Sequence, residues 1–354
     1  MNFLGRDREQ TGRRDQRTAG CVAFGEHCSA GRVEDPPRTL LCFTHLRKSA
    51  IGVVGGIGGT IPDSPRRKRS DHRILPVACM RAEDRVAQHY SRGDLLARFE
   101  GALREAGKNP AQFAADDIAS ADQFHTGGKP ATLELARLAG IRKESEVLDV
   151  GGGVGGPART LANEIGCRVT VLDLTEEFVE TGRELTSRTG LSDRIQFEEG
   201  DALRLPFPDS TFDVVFTQHA SMNIQDKAGL LREAHRVLRS GGSYAFHDIM
   251  AGPVQPLHFP VPWSAAPDSS FLELPPAVRT LFVGQGFREV AWRDESPNAL
   301  KYFQERAASA KNSGPSTMTV RLLLGEKAPK MLENLARNFA EQRVVVIMGV
   351  FAKQ

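Results

Sequence analysis

The sequence predicts an α/β protein whose parallel sheet is covered by helices on both faces. Three observations carry this. Short apolar runs alternate with amphipathic stretches from about residue 130, a glycine-rich stretch follows the first run directly, and the chain closes on a strongly β-branched run at 344–351. Continuous apolar runs separated by helical periodicity read as βαβ units, because a strand buried on both faces needs no polar alternation.

Taken in order, strands are expected at 147–150, 168–172, 194–197, 213–217 and 243–247, then at 289–292 and 344–351. Helical spacing lies between the first five, around 161–165, 178–185 and 230–238. Thr175, followed by Glu176 and Glu177, reads as a helix N-cap with acids in the first turn. Gly241-Gly242 after Leu238 reads as a helix stop. The fifty residues before the last strand read as two further helices, 299–311 and 330–342, an insertion placed to roof a pocket.

Composition bounds the rest. The chain has 354 residues, 40% hydrophobic and 25% charged, an ordinary soluble balance, and its longest apolar run is too short and glycine-broken for a membrane span. The net charge of +2 hides an asymmetry. Residues 1–79 hold 14 Lys+Arg against 8 Asp+Glu, and the remainder 32 against 36. Four of five cysteines (Cys21, Cys28, Cys42, Cys79) also precede Met80, without metal or redox spacing. Residues 1–79 are therefore expected to be a disordered extension, with Met80 the native start and 80–354 the folded domain. The acidic balance of that domain argues against nucleic acid as a partner. The expectation is a cytoplasmic monomer or homodimer acting on a small molecule, with 80–128 and 252–341 forming the substrate cap and no metal bound.

The chemistry concentrates at 147–156. Gly151, Gly153 and Gly156 satisfy one nucleotide-loop spacing, and Gly151, Gly153 and Gly155 another. Asp149, two residues before the first glycine, would repel a pyrophosphate and suit an ammonium group. Asp173 ends the second strand, placed for ribose hydroxyls. Gly200-Asp201-Ala202 ends the third, where a carboxylate can accept from an adenine amino group.

With these motifs, and with 206–215 and 233–242, the chain from about 85 onward resembles the class I S-adenosylmethionine-dependent methyltransferases. The resemblance implies a Rossmann-like, doubly wound, seven-stranded sheet in three α/β/α layers, with an antiparallel last strand. It implies S-adenosylmethionine as cofactor, held by Asp149, Gly151, Gly153, Asp173, Leu174, Asp201 and Ala202, with Gly155, Gln218 and Gly127 beside them. Among these enzymes the chain looks most like the sarcosine/dimethylglycine, phosphoethanolamine and quinone-biosynthesis types. Phe124-His125-Thr126-Gly127-Gly128 resembles a Ser-Thr-Gly-Gly stretch of the phosphoethanolamine enzymes, with His125 replacing the serine. His219 and Asn223 stand where those enzymes carry an Asp and a His.

An acceptor hydroxyl or acidic carbon needs a base near pH 7, a task suited to histidine. His219, after the fourth strand, is the leading choice, with His125 and Tyr90 as further catalytic candidates. His247, Asp248 and Trp263 are expected at the substrate. Two rival functions remain open at this level: a nicotinamide-dependent oxidoreductase, and a silent module that binds the adenosyl cofactor. The methylated atom, N, O or C, is not fixed by the residues.

Overall fold

The computed structural model describes residues 82–91, 93–313 and 317–354. The expectations for 1–79 and for Met80 lie outside the described residues. Four helices come first: α1 (Ala82–Tyr90), α2 (Leu95–Glu105), α3 (Ala115–Asp122) and α4 (Gly128–Leu138). The alternating part follows as β1 (Glu146–Val150), α5 (Gly156–Glu164), β2 (Arg168–Asp173), α6 (Glu176–Arg188), β3 (Ile195–Glu199), β4 (Phe212–Gln218), α7 (Lys227–Val237) and β5 (Leu238–Ala251). The remainder is α8 (Pro275–Gly284), β6 (Phe287–Asp294), α9 (Ser296–Ser313), α10 (Arg321–Leu324), α11 (Ala328–Ala340) and β7 (Val344–Lys353).

The seven strands form one sheet in the order β3-β2-β1-β4-β5-β7-β6. The first five are mutually parallel, and β7 inserts antiparallel between β5 and β6. The strand period of two sorts side chains between two apolar layers. Val147, Val169, Val171, Val214, Phe216, Ala245, Met348 and Val350 face one layer with Leu135 and Leu161. Leu148, Leu172, Val215, Tyr244, Phe246 and Phe351 face the other, with Leu231 and Phe282. Both faces are covered, which is why the central strands read as unbroken apolar runs.

Each expected strand is present, most of them extended by one to several residues, and both late helices lie in α9 and α11. One local reading is corrected and another refined. Gly241-Gly242 does not stop a helix: α7 ends at Val237, Leu238 is already extended, and the glycines lie inside the β5 segment, Gly241 at φ +76°. Thr175 does occupy the N-cap position of α6, but its side chain makes no capping bond. Its backbone N–H instead donates to Asp173 Oδ1 at 2.9 Å. Among the described residues no helix is long and apolar enough to cross a membrane.

The antiparallel insertion depends on one glycine. Gly349 sits opposite Phe246 in the β5–β7 register, and a Cβ there would lie 2.5 Å from the Phe246 ring. That ring stacks on Phe282 at 5.5 Å, and Phe282 stacks on Phe351 at 4.0 Å, fastening α8 to the sheet. Gly349→Ala should drive Phe246 from the stack and lower unfolding free energy by about 1–3 kcal/mol. An unchanged thermal melting curve would refute this account.

Candidate active site

β1 carries Asp149 on its way to a tight turn. Gly151 follows at φ +70°, a conformation costly for other residues, and a Cβ on it would come 2.5 Å from the Cβ of Ala220. The loop therefore hugs the end of β4 and opens a cavity of about 460 Å³ at the carboxyl ends of β1, β2 and β4. This is where an open α/β sheet reverses its strand order and binds ligands.

Most of the expected cofactor residues line this cavity: Asp149, Gly151, Gly153, Asp173, Leu174, Asp201, Ala202 and Gln218. His125, His219 and Tyr90 line it too, with Val86, Phe124 and Phe178 as apolar wall. Gly155 and Gly127 stand outside. Gly155 is the N-cap of α5, packed where a Cβ would meet the Phe197 ring at 2.6 Å. Gly127 opens α4 and borders a separate cavity. Trp263 is buried in an apolar cluster with Leu335 and Phe339, its indole N–H donating to Ser270 Oγ at 2.9 Å. Asp248 accepts from the Ala220 backbone N–H at 3.0 Å and so positions the turn after β4. Of the late insertion only Leu323 reaches the main cavity, whereas five residues between 82 and 125 do.

The cavity wall is acidic. Asp122, Asp149, Asp173, Asp201 and Asp226 line it, and among its described lining residues there is no Lys or Arg. Asp149 is 1% exposed and its Oδ2 is buried without a hydrogen-bond partner. Burial, reinforced by the Asp173 carboxylate, pushes its carboxyl up to about 7. Asp173 is better served, accepting from Gly153 N–H and Thr175 N–H, both at 2.9 Å. Gln218 accepts from Thr132 Oγ1 at 2.8 Å, which fixes its amide and leaves the buried Nε2 as an unpaired donor.

At the other end three imidazoles gather. Ring centroids of His219 and His247 lie 5.2 Å apart, and those of His125 lie 6.2 and 6.1 Å from them. Burial depresses all three, His125 to about 4 and His247 to about 3, and His219 falls well below the ordinary range with its neighbours adding repulsion. All are neutral at pH 7. His219 holds a left-handed backbone (φ +52°), fixed by its N–H donating to the His247 carbonyl at 2.9 Å. Its Nε2 lies 3.2 Å from Thr126 Oγ1. Tyr90 donates to Asn223 Oδ1 at 3.1 Å, and Asn223 Nδ2 donates to the carbonyls of Trp263 and Ser269. Among the described residues no three His, Cys, Asp or Glu side chains are arranged to hold a metal ion.

Sequence reasoning missed the support beneath the loop. Arg159 is 1% exposed; its Nη2 donates to Asp122 Oδ2 at 2.8 Å and to the Val154 carbonyl at 2.7 Å, and Nη1 donates to Thr186 at 2.8 Å. No local pattern marks such a residue, because its partners come from 37 and 27 positions away.

Comparison with known proteins agrees with this geometry. Residues 148–246 match the family model described as a methyltransferase domain. A sterol 24-C-methyltransferase of Eremothecium gossypii is 40% identical over 114 residues, 32% of this chain and 31% of that protein. A glycine/sarcosine/dimethylglycine N-methyltransferase of Actinopolyspora halophila is 37% identical over 130 residues, 37% of this chain and 23% of that one. The chain thus spans about a third or less of the length of these curated relatives. In structure, the geranyl diphosphate C-methyltransferase of Streptomyces coelicolor A3(2), bound to Mg2+, geranyl diphosphate and S-adenosyl-L-homocysteine, superposes with a TM-score of 0.56. It covers 79% of this chain and 100% of that chain at 15% identity, a likeness of fold.

Two predictions follow from the buried charges. Arg159→Met leaves Asp122 buried without its cation and should cost about 3–5 kcal/mol in urea unfolding; the added Asp122→Asn change should recover part of that. Asp149 holds a proton in the folded chain between about pH 4 and pH 7 that the unfolded chain has lost. Its contribution therefore destabilises progressively as pH rises through that window, and the penalty is complete above about 7. Asp149→Asn should accordingly raise the melting temperature at pH 8, and no rise there would refute the buried-carboxylate assignment.

Proposed function

We propose that this chain, which carries a class I S-adenosylmethionine-dependent methyltransferase domain, methylates a small apolar acceptor that bears no phosphate. The observation that carries the reading is the acidic, cation-free wall of the main cavity, with carboxylates at the ends of three neighbouring strands. A positively charged cofactor suits that wall, and a pyrophosphate does not. The orphaned Asp149 Oδ2 fits the cofactor's ammonium, and the Gln218 amide fits its carboxylate. Asp173 is placed for the ribose hydroxyls and Asp201 for the adenine. The antiparallel β7 and the Asp149 carboxylate both weigh against the nicotinamide reading.

When bound, S-adenosylmethionine supplies a methyl group already activated on a sulfonium, so the chain's tasks are alignment, water exclusion and removal of a proton. Val86, Tyr90, Phe124 and Phe178 give the acceptor an apolar wall and keep water out. The residues before 128 thus supply most of the cap, with Leu323 the contribution of the late insertion.

His219 is the base we assign. It is placed to take the proton that the reaction must shed, as a neutral imidazole whose basicity burial lowers. The acceptor we propose is a carbon, the atom class named for the sterol 24-C-methyltransferase relative, and an alkene carbon is the form that leaves one proton to remove after methylation. The diphosphate of geranyl diphosphate would meet the carboxylates of Asp173, Asp201 and Asp226 with no Lys or Arg among the described lining residues. Nothing in the cavity walls favours it.

The reading is tested with methyl-labelled cofactor and paired acceptors, isoprenoid alkenes with and without a terminal diphosphate. Label should pass to the uncharged partner; transfer to geranyl diphosphate but not to geraniol would overturn the substrate class. His219→Ala should lower turnover about 10²–10⁴-fold with cofactor affinity within a few-fold. In calorimetry, S-adenosylhomocysteine should bind more weakly as pH falls below about 7, where Asp149 takes a proton. Affinity flat from pH 5.5 to 8, or a preference for NAD, would defeat the cofactor assignment.

A further inference from the structure

A base that accepts a proton at each methyl transfer must pass it on before the next turnover. The cavity that receives the cofactor is bordered by His125 and His219. A second, wider cavity of about 720 Å³ lies behind them, bordered by Thr126, Gly127, His247, Glu134, Arg293 and Tyr302. His219 and Thr126 stand on opposite sides of the wall and touch each other, Nε2 to Oγ1 at 3.2 Å. Thr126 is 3% exposed, so its hydroxyl is part of the partition rather than of the surface. His247, also on the second cavity, is 2% exposed and keeps a buried Nδ1 with no partner.

We infer that the His219–Thr126 contact is a proton exit from the methyl-transfer cavity into the second cavity, with Thr126 the positioning residue that completes it. The inference rests on the methyltransferase reading above. Methyl transfer to an alkene carbon forms the new C–C bond, breaks the S–CH3 bond and moves the positive charge from sulfur to carbon. Loss of the adjacent C–H proton to one ring nitrogen of His219 restores the double bond and leaves an imidazolium. Nε2–H then passes its proton to Thr126 Oγ1, and the hydroxyl releases its own proton to water in the second cavity. The imidazole is neutral again, with its tautomer exchanged, and resets when product leaves and water enters.

The surroundings favour rapid transit over storage. The rings facing His219 are those of His125 and His247, both neutral, so neither supplies a counter-charge to a proton held there. His125 is itself committed, its Nε2 lying 3.1 Å from the Gly128 carbonyl and 3.1 Å from Thr132 Oγ1. The exit therefore runs through Thr126 and not through His125.

The test needs no acceptor. In 15N-histidine-labelled protein saturated with S-adenosylhomocysteine, which plugs the first cavity, the ring N–H of His219 should still exchange rapidly with water. Thr126→Val should slow that exchange at least tenfold, and Thr126→Ser should keep it fast. A protected, slowly exchanging ring N–H in the saturated wild-type chain would overturn the relay without recourse to any variant. So would an unchanged rate in Thr126→Val with ligand affinity retained. Failure of S-adenosylhomocysteine to bind the wild-type chain, read separately by calorimetry, would overturn the cofactor reading and the relay with it.

Discussion

The guanidinium of Arg159 is the interaction on which the site depends. It lies beneath the glycine loop, binds the Val154 carbonyl from below, and pairs with Asp122 at the last residue of α3. Gly156 makes the approach possible, since any Cβ there would stand 2.3 Å from the Asp122 carbonyl oxygen. One buried ion pair thus fixes both the floor of the cavity and the point from which Phe124 and His125 enter its wall. In a low-dielectric interior neither charge is tolerable without the other. The loop and the roof are therefore coupled through charge as well as packing.

Above that support the cavity separates two kinds of titratable group. Carboxylates gather at the ends of β1, β2 and β3, while the imidazoles of His219 after β4, His247 within β5 and His125 before α4 gather together and stay neutral. A cation is welcome at the first end and excluded from the second. In the proposed methyl transfer the positive charge would leave sulfur and appear as a proton near the histidines. On that proposal the acidic wall would oppose loss of the cofactor's charge, and a route that drains the proton would offset the opposition.

How much of this the sequence disclosed follows from the range of each interaction. Strands β1, β2, β4, β5 and β7 are buried on both faces, so their apolar runs stand out locally. The Asp149–Gly153 loop was legible because glycine and acid at fixed spacing serve a geometry set within five residues. Gly241-Gly242 misled because a helix stop and a strand-borne turn use the same left-handed glycine. Trp263 misled because an apolar residue in a loop reads alike whether it faces ligand or core. Arg159 was invisible and Thr126 showed only as part of a motif, since their partners lie 37 and 93 residues away. Only the fold brings those atoms together.

The same division of range explains why relatives with different acceptors can share the cofactor half. The matched stretch, 148–246, holds Asp149, the glycines, Asp173, Asp201, Gln218 and His219. Val86, Tyr90, Phe124, His125 and Leu323, which complete the cavity, all lie outside it. The activated methyl must meet its acceptor in line, so the cofactor side tolerates little variation, whereas the roof need only fit the acceptor's shape and charge. Under the proposed function, the apolar part of the acceptor would therefore meet residues that lie outside the matched segment. Tyr90 is the most consequential of them: its bond to Asn223 ties the roof to the turn after β4, one hydrogen bond from the carbonyls of Trp263 and Ser269. A roof tied there closes the cavity between α1 and His219, and under the proposed function that is where the acceptor would be shielded from water.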